Sequence, residues 1–254
     1  MANLSVSAVV LTKNEESNIK DCIESLKFCD EIIVVDDNSK DETTSIAEKL
    51  GAKVYKRYMD MNYSEQSNFG MEKAQNKWVL FLDADERITD NLSKDIVNTL
   101  GRNEQIKGYY FRRVDYMWGS WLKHGESGYS TVLRLVRKGS GNWVRRVHPR
   151  FEIRGRTSEF SYPIKHYPHQ SVGAFIESVD RWSTWHAVAN NEEGKSSSVI
   201  KILFWPAAHF VKNFIIRMGF LDGIQGFVFA IVMSFHSYLA WSKLWMLQKR
   251  FIKN

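Results

Sequence analysis

The chain has 254 residues, 44% of them hydrophobic and 25% charged, which excludes a disordered chain and fits one large domain or one domain with an appended segment. Cys22 and Cys29 stand outside any CxxC or metal-type spacing, so we expect reduced thiols in a cytosolic protein rather than a disulfide framework. Met1–Thr12 has no basic region ahead of its apolar run, and we expect a first strand there rather than a signal peptide.

The net charge of +6 is concentrated near the C-terminus. From Lys195 onward, eight Lys and Arg residues stand against a single acid, Asp222, whereas the preceding residues carry 27 basic and 28 acidic side chains. Such asymmetry indicates a nucleic-acid or membrane partner for the C-terminal segment. Because that segment is also apolar, we expect its partner to be a membrane surface rather than a nucleic acid.

Strands and helices are expected to alternate through the first hundred residues. Short runs rich in Val and Ile are typical of strands buried on both faces, and strict alternation with helices predicts βαβ units and a mostly parallel sheet. Ser39–Glu42 has the pattern of a capping box that opens a helix, Gly51 would end that helix, and Thr89 would cap a later one. The predicted strands are Leu4–Leu11, Glu31–Val35, Ala52–Tyr55 and Trp78–Leu82, and Ser64–Gln75 is a predicted helix.

The pattern changes after Gly108. Two further strands are predicted over Tyr109–Val114 and Thr131–Val136, separated by an aromatic, glycine-bearing stretch. Gly173–Ala189 has the spacing of a helix, and a much more apolar segment begins at Ser198. The second half therefore differs from the βαβ half in its composition and in its predicted order of strands and helices.

The predicted strand over Trp78–Leu82 runs directly into acids, in the stretch WVLFLDADERIT. Ligands of open parallel sheets bind beyond the carboxyl ends of the strands, so Asp83 and Asp85 lie on the expected functional edge. Only Ala84 separates them, and adjacent carboxylates repel one another unless a cation bridges them. The economical interpretation is a site for Mg²⁺ or Mn²⁺ and a diphosphate, and the alternative is a solvated loop before a helix.

The two preceding strands also end in polar residues. Asp36 and Asp37 follow the second strand, where a carboxylate can accept hydrogen bonds from a nucleobase or from ribose hydroxyls. Thr12, Asn14 and Glu15 follow the first strand. Three strand ends directed at one cleft favour a binding site over a chance cluster.

Together these stretches resemble a known family. SVSAVVLTKNEESNIKDCIESL, DEIIVVDDNSKDETTSIAEKLGAKV and WVLFLDADERIT resemble the family 2 inverting glycosyltransferases over about the first 100 residues. RLVRKGSGNWVRRVHP and IKHYPHQS are similar to the bacterial subgroup that adds sugars to lipopolysaccharide core and related surface glycans. The resemblance implies an α/β protein of the GT-A class, a nucleotide-diphospho-sugar transferase with a Rossmann-like, mostly parallel sheet. It also implies that Asp36 and Asp37 contact the base and ribose, and that Asp83 and Asp85, with Ala84 between them, hold the metal and diphosphate.

An inverting transfer needs a general base near the acceptor hydroxyl. The similar subgroup usually has V-H-E where this chain has Val147-His148-Pro149, so the expected glutamate is absent, and proline cannot accept a proton. Glu126, Glu152 and Asp115 are the remaining nearby acids, although each is as readily an ordinary surface acid. Glu126 is slightly favoured because a glycine-flanked loop acid suits an acceptor site.

A basic set surrounds Trp143 in the second half. One or two of these arginines could stabilise the departing diphosphate, because a guanidinium matches phosphate geometry, and alternating charges on exposed strands would explain the rest. We place Arg134, Trp143 and His148 on the diphosphate and acceptor side; no paired spacing supports zinc binding by the histidines. The five arginines are Arg134, Arg137, Arg145, Arg146 and Arg150.

The segment from Ser198 is the most apolar part of the chain. Its core, Gly226–Trp241, has sixteen residues, fewer than the roughly 20 needed to span a bilayer. Upstream, Lys212 and Arg217 share one face while Phe and Ile occupy the other. We expect interfacial helices on an anionic leaflet, with a core helical hairpin or an oligomer contact as alternatives.

The sequence thus predicts a metal-dependent inverting glycosyltransferase, peripheral on the inner face of the cytoplasmic membrane. The donor would be a nucleotide sugar, and a UDP-sugar is favoured; the acceptor would be a glycan or lipid-linked molecule in surface-polysaccharide or lipopolysaccharide synthesis, and a homo-oligomer is compatible. Residues 1–105 would bind the donor, 106–192 the acceptor and 193–254 the membrane. One rival is a catalytically impaired nucleotide-sugar-binding scaffold. The other is an aspartate-nucleophile phosphatase, whose D-x-D closes the first strand and continues with Thr, where this chain has Arg87.

Overall fold

The computed structural model describes residues 5–100, 102–146, 149–169, 171–249 and 251. Its contacts divide the chain into two compact units. Unit 1 comprises Met1–Arg113 and Thr131–His166, and unit 2 comprises Val114–Ser130 and Tyr167–Asn254. The expected segments 1–105, 106–192 and 193–254 concern donor, acceptor and membrane roles, and they stay a prediction.

The helices and strands follow one another in an α/β order. The strands are β1 (Val6–Thr12), β2 (Glu31–Asp36), β3 (Lys53–Lys56), β4 (Trp78–Asp83), β5 (Glu86–Arg87), β6 (Ile106–Met117), β7 (Ser120–Leu122), β8 (Thr131–Arg137), β9 (Gly141–Val144), β10 (Arg150–Ile153) and β11 (Arg156–His166). The α-helices are α1 (Ile19–Ser25), α2 (Thr43–Lys49), α3 (Tyr63–Lys73), α4 (Asp90–Thr99), α5 (Gly125–Gly128), α6 (Val172–Glu192), α7 (Val199–Phe210) and α8 (Gly223–Gln248). A π-helical segment, Val211–Ile216, and a 3₁₀ turn, Gly219–Asp222, lie between α7 and α8.

Unit 1 is built on a sheet of order β3-β2-β1-β4-β8-β6-β11-β5. The first four strands are parallel, as expected, and β8 runs antiparallel to β4. Successive residues of β1 enter opposite cores, with Ala8 and Val10 on one face and Val9 on the other. Burial on both faces is the reason these strands read as continuous apolar runs rather than alternating ones.

The helix-end predictions for unit 1 are partly confirmed. Thr89 caps α4, because its Oγ1 accepts a hydrogen bond from Leu92 N at 3.3 Å, and Gly51 takes the left-handed φ of +86° after α2. The predicted capping box at Ser39–Glu42 is wrong. α2 begins at Thr43, whose N–H donates to Asp41 Oδ1 at 3.1 Å.

Unit 2 packs α6 and α8 around an apolar cluster that includes Phe175, Val179 and Phe229. The sequence led us to expect that the apolar core Gly226–Trp241 is too short to span a bilayer. The structure corrects this expectation, because those residues lie inside the 26-residue helix α8. By length and composition alone, Val199–Ile216 and Gly219–Gln248 are both long and apolar enough to cross a membrane, and only 6% and 33% of their apolar windows are buried.

The close approach of α3 to the sheet gives a test of the fold of unit 1. A Cβ added at Gly70 would collide with the side chain of Val9 and press on Val35. We expect Gly70→Ala to lower the free energy of unfolding by about 1–3 kcal/mol, the usual cost of overpacking. Gly173→Ala is the control, since its Cβ meets only Ser171 Oγ at 3.9 Å near the start of α6. Urea unfolding measures both; equal stability of the two variants would contradict this packing.

Candidate functional site

The carboxyl ends of β1, β2 and β4 lie side by side. Thr12 pairs in register with Asp36, and Leu11 pairs with Asp83. Because the strands are parallel, the loops that follow them leave the sheet at one edge, where ligands of such sheets bind. The structure therefore brings together the predicted nucleotide-sugar residues, which are Thr12, Asn14, Glu15, Asp36, Asp37, Asp83, Ala84 and Asp85.

Hydrogen bonds join the loop after β1 to the loop after β2. Asn14 donates its N–H to Ser39 Oγ and accepts from Lys40 N through Oδ1, both at 2.8 Å. Glu15 N donates to Thr43 Oγ1 at 2.8 Å. Asn14 adopts a left-handed φ of +53°, a conformation that asparagine tolerates better than most residues. The two loops form one continuous wall beside the strand ends.

The two aspartates at the end of β2 are both buried, and both are engaged. Asp36 is fully buried and accepts hydrogen bonds from Ser39 N, at 2.9 Å, and from Ser39 Oγ. Asp37 accepts from Lys13 Nζ at 2.7 Å and from Met59 N at 2.9 Å. These contacts fix the carboxylates in the wall that a base and ribose would face.

The pKa of Glu15 is raised by its surroundings at this edge. Burial, followed by repulsion from Asp85 and then Asp83, raises the pKa of Glu15 to about 7 in spite of a hydrogen bond from Asn18. Beside it, the hydroxyl Oγ1 of Thr12 is buried without a hydrogen-bond partner among the described residues. Crowded carboxylates and a buried hydroxyl without a partner in the described part of the chain fit a site for a polar ligand and a cation.

Arg134 on β8 neutralises part of this charge. Its Nη2 lies 2.5 Å from Asp83 Oδ2 and 2.7 Å from Oε1 of the fully buried Glu86. Arg113 approaches the same Glu86 oxygen at 3.6 Å. Burial disfavours the charge of Arg134, but Asp83 and Glu86 outweigh it and raise its pKa. The predicted arginine thus lies at the D-x-D motif, held there by a buried acid.

The turn of the D-x-D motif is braced from its other side. Arg87 donates from Nη1 to the carbonyl oxygens of Ala84, at 2.8 Å, and Glu86, at 2.9 Å. Glu86 pairs with His166 in the β5–β11 register, which brings His166 Nε2 to 3.2 Å from Asp85 Oδ2. These contacts of Glu86, Arg87 and His166 were not predicted from sequence, where the E-R pair directly after D-A-D is the one local signal for them.

The carboxylate oxygens at this edge are ligands of the kind that a hard divalent cation prefers. The described residues contain no group of three or more His, Cys, Asp or Glu side chains placed to enclose a metal. Such a cage is not expected for Mg²⁺ that serves phosphates, since one or two carboxylates usually hold it together with the substrate's own oxygens. Asp83 and Asp85 supply two such carboxylates, and their side chains keep 39% and 22% exposure.

The other predicted residues lie away from the D-x-D motif or outside the described residues. Trp143 is buried, and its ring packs in the core 5.1 Å from Phe81 and 5.5 Å from Phe151. Glu152 is exposed in an ion pair with Arg150 at 3.0 Å. His148 lies outside the described residues.

Glu126 lies in unit 2, on the short helix α5. Its Oε2 accepts hydrogen bonds from His209 Nε2 at 3.0 Å and Asn213 Nδ2 at 3.2 Å. Burial opposes ionisation, but these bonds and the nearby Arg217 outweigh it and hold the pKa of Glu126 below its usual value. Glu126 is thus ionised at neutral pH and lines a cavity, unlike Glu152.

The sheet topology is that of the GT-A fold. S. aureus TarS 1–349, solved in complex with UDP-GlcNAc, has a TM-score of 0.51 at 15% identity, over 97% of this chain and 91% of that chain. Glucosyl-3-phosphoglycerate synthase from Mycobacterium tuberculosis, solved with Mn²⁺, UDP and glucosyl-3-phosphoglycerate, has a TM-score of 0.51 at 16% identity, over 78% and 82%. At such identities these likenesses establish the fold.

The sequence comparisons identify the family. The model for glycosyl transferase family 2 matches residues 7–166, and this chain belongs to that family. It is 26% identical to the lipopolysaccharide core biosynthesis glycosyltransferase LpsC of Rhizobium meliloti, over 95% of this chain and 92% of that protein. An uncharacterized glycosyltransferase of Rickettsia conorii is 28% identical, over 94% and 89%. The family match argues against the aspartate-nucleophile phosphatase alternative. The position of Asp83 agrees, because it ends the fourth strand rather than the first.

The buried Arg134–Glu86 pair gives a test of how the site is supported. Arg134→Gln leaves the buried Glu86 with the more distant Arg113 and the N–H of Asp83, so its charge loses its nearest cation. We expect about 3–5 kcal/mol less free energy of unfolding. Arg150→Gln removes an exposed ion pair and should cost at most about 1 kcal/mol. Denaturant unfolding compares the two; a loss no larger for Arg134→Gln than for Arg150→Gln would show that the buried pair does not support the site.

Proposed function

We propose that the protein transfers a sugar from a nucleotide-diphosphate sugar, with UDP as the favoured nucleotide, to a glycan or lipid-linked acceptor with inversion. One observation carries the proposal: the ends of β1, β2 and β4 bring the carboxylates of Glu15, Asp36, Asp37, Asp83 and Asp85 to a single edge. Family membership makes the reaction class a glycosyl transfer. The neighbours solved with UDP-GlcNAc or with UDP and Mn²⁺ support the choice of donor.

Each strand end has its own part in donor binding. Asp36 and Asp37 lie in the wall that would face the base and ribose, and the buried Thr12 hydroxyl lies at the neighbouring strand end. Asp83 and Asp85 would hold Mg²⁺ or Mn²⁺, which, when bound, offsets the charge of the diphosphate leaving group. Arg134 keeps the Asp83 carboxylate oriented, and His166 does the same for Asp85.

Inversion requires a base that deprotonates the acceptor, and Glu126 is our choice. It is ionised, cavity-lining and positioned by His209 and Asn213, whereas Glu152 is an exposed member of a surface ion pair. A carboxylate fixed by two donors keeps one geometry, as a general base must.

The C-terminal helices suit a protein that works at a membrane. Exposed apolar side chains cover α7, the π-helical segment and α8, among them Ile200, Phe204, Ile216 and Ile224, each at least 68% exposed. A soluble monomer rarely carries so extensive an apolar surface. We place the protein on the inner face of the cytoplasmic membrane, in lipopolysaccharide or surface-polysaccharide synthesis, as the likeness to LpsC suggests.

Calorimetric titration with UDP tests the donor site. The unaltered chain should bind UDP more tightly with Mn²⁺ than without it. In Asp85→Asn the gain from Mn²⁺ should fall by roughly 10- to 100-fold, since supporting groups of metal sites carry effects of that size. Asp90→Asn, an exposed change on α4, should keep the full gain. A Mn²⁺ effect that survives in Asp85→Asn would exclude Asp85 as a metal ligand.

Turnover of Glu126→Gln tests the base. We expect kcat to drop by about 10²- to 10⁴-fold, the usual contribution of a general base, with UDP affinity unchanged. Glu152→Gln, an equally conservative change, should retain kcat. Full turnover by Glu126→Gln would remove Glu126 from this role. Donor binding by the unaltered chain without transfer to any acceptor would instead favour the scaffold alternative.

A further inference from the structure

A cavity of ≈ 440 Å³ lies within unit 2, among the C-terminal helices. Trp205 and Trp241 contribute aromatic walls. The remaining lining is mostly polar and comes from α5, α7, the π-helical segment and α8. Its polar side chains are Glu126, His209, Lys212, Asn213, Arg217 and Ser237.

Three of the polar lining residues share one face of the continuous helical stretch formed by α7 and the π-helical segment. His209, Lys212 and Asn213 recur at spacings of three and four residues, which place side chains on a common face. The other faces of the same stretch carry Val211 and Ile216, which are 47% and 70% exposed. The cavity is therefore a polar depression in an apolar surface. Ionisable groups in such surroundings are costly and mark ligand sites.

The charge of the cavity is positive. Its single acid, Glu126, is already bound by His209 and Asn213. Arg217 lies with its guanidinium 5.7 Å from the centre of the Tyr129 ring, and the exposed Lys212 has no ion-pair partner among the described residues. Two permanent cations thus stand against one acid, so the cavity is complementary to an anion.

We propose that this cavity binds the phosphate group of an anionic lipid, with the acyl chains lying along the exposed apolar side chains of α7 and α8. Lys212 and Arg217 contact the phosphate, since a guanidinium offers paired N–H donors and an ammonium a compact charge. Basic pockets between apolar helices bind lipid headgroups by this combination. The inference rests on the proposed membrane function and adds to it a headgroup-binding site within unit 2.

Calorimetric titration of the full chain with short-chain phosphatidic acid, kept below the concentration at which it self-associates, tests the cavity without a membrane. Phosphatidylcholine of equal chain length and inorganic phosphate are the comparison ligands. Lys212→Gln with Arg217→Gln should weaken phosphatidic acid binding by roughly 10- to 30-fold, from the usual contribution of two basic residues. Lys123→Gln with Lys249→Gln, two exposed lysines of unit 2, is the charge-matched control and should keep the affinity.

The outcomes separate this site from the donor site. Equal binding of the two lipids, or full affinity in the Lys212 and Arg217 double variant, would overturn the inference. Inorganic phosphate that binds as tightly as phosphatidic acid would overturn the lipid assignment in favour of a soluble phosphorylated ligand. UDP titration of the same samples reports on the nucleotide site. If the unaltered chain binds phosphatidic acid but not UDP, the proposed function is contradicted and the headgroup site is not.

Discussion

Mutual repulsion of carboxylates at one sheet edge is the constraint on which the structure of unit 1 depends. Glu15, Asp83 and Asp85 meet there because β1 and β4 are parallel neighbours in register. Packing so much like charge beside a buried edge is costly unless cations or hydrogen-bond donors compensate it. Arg134 and His166 supply part of the compensation, while burial, together with repulsion from Asp85 and Asp83, raises the pKa of Glu15.

The sequence predicted this edge because its signals are local. Apolar runs set the buried strands, and acids directly after them must lie where parallel strands end. The supports of the motif come from far along the chain: Arg134 is 51 residues from Asp83, and His166 is 81 residues from Asp85. No spacing rule reaches such pairs, since they depend on how β8 and β11 join the sheet. The capping-box prediction failed for a different, local reason, because Ser39 donates to Asp36 three residues earlier and α2 begins only at Thr43.

The sequence pattern marked Gly226–Trp241 as the apolar core, and helix α8 continues beyond this stretch at both ends. Ser234 satisfies its hydroxyl within the helix by donating to the carbonyl oxygen of Ala230 at 2.7 Å, and His236 is buried. Unit 2 accordingly places apolar side chains on its surface and several polar ones inside. The unit keeps an apolar core around Phe175, Val179 and Phe229, but its exposed apolar side chains are what a bilayer as solvent favours. Such a surface suits the proposed function, in which the donor is soluble and the acceptor is bound to the membrane.

The central claim is that Asp83 and Asp85 hold the divalent cation of the donor complex. Crystals of the protein grown with UDP and Mn²⁺, with anomalous diffraction recorded at the manganese absorption edge, test it most directly. The account predicts one anomalous peak within bonding distance of an oxygen of Asp85 or Asp83 and of the diphosphate. A manganese peak elsewhere, or UDP bound away from the ends of β1, β2 and β4, would contradict it.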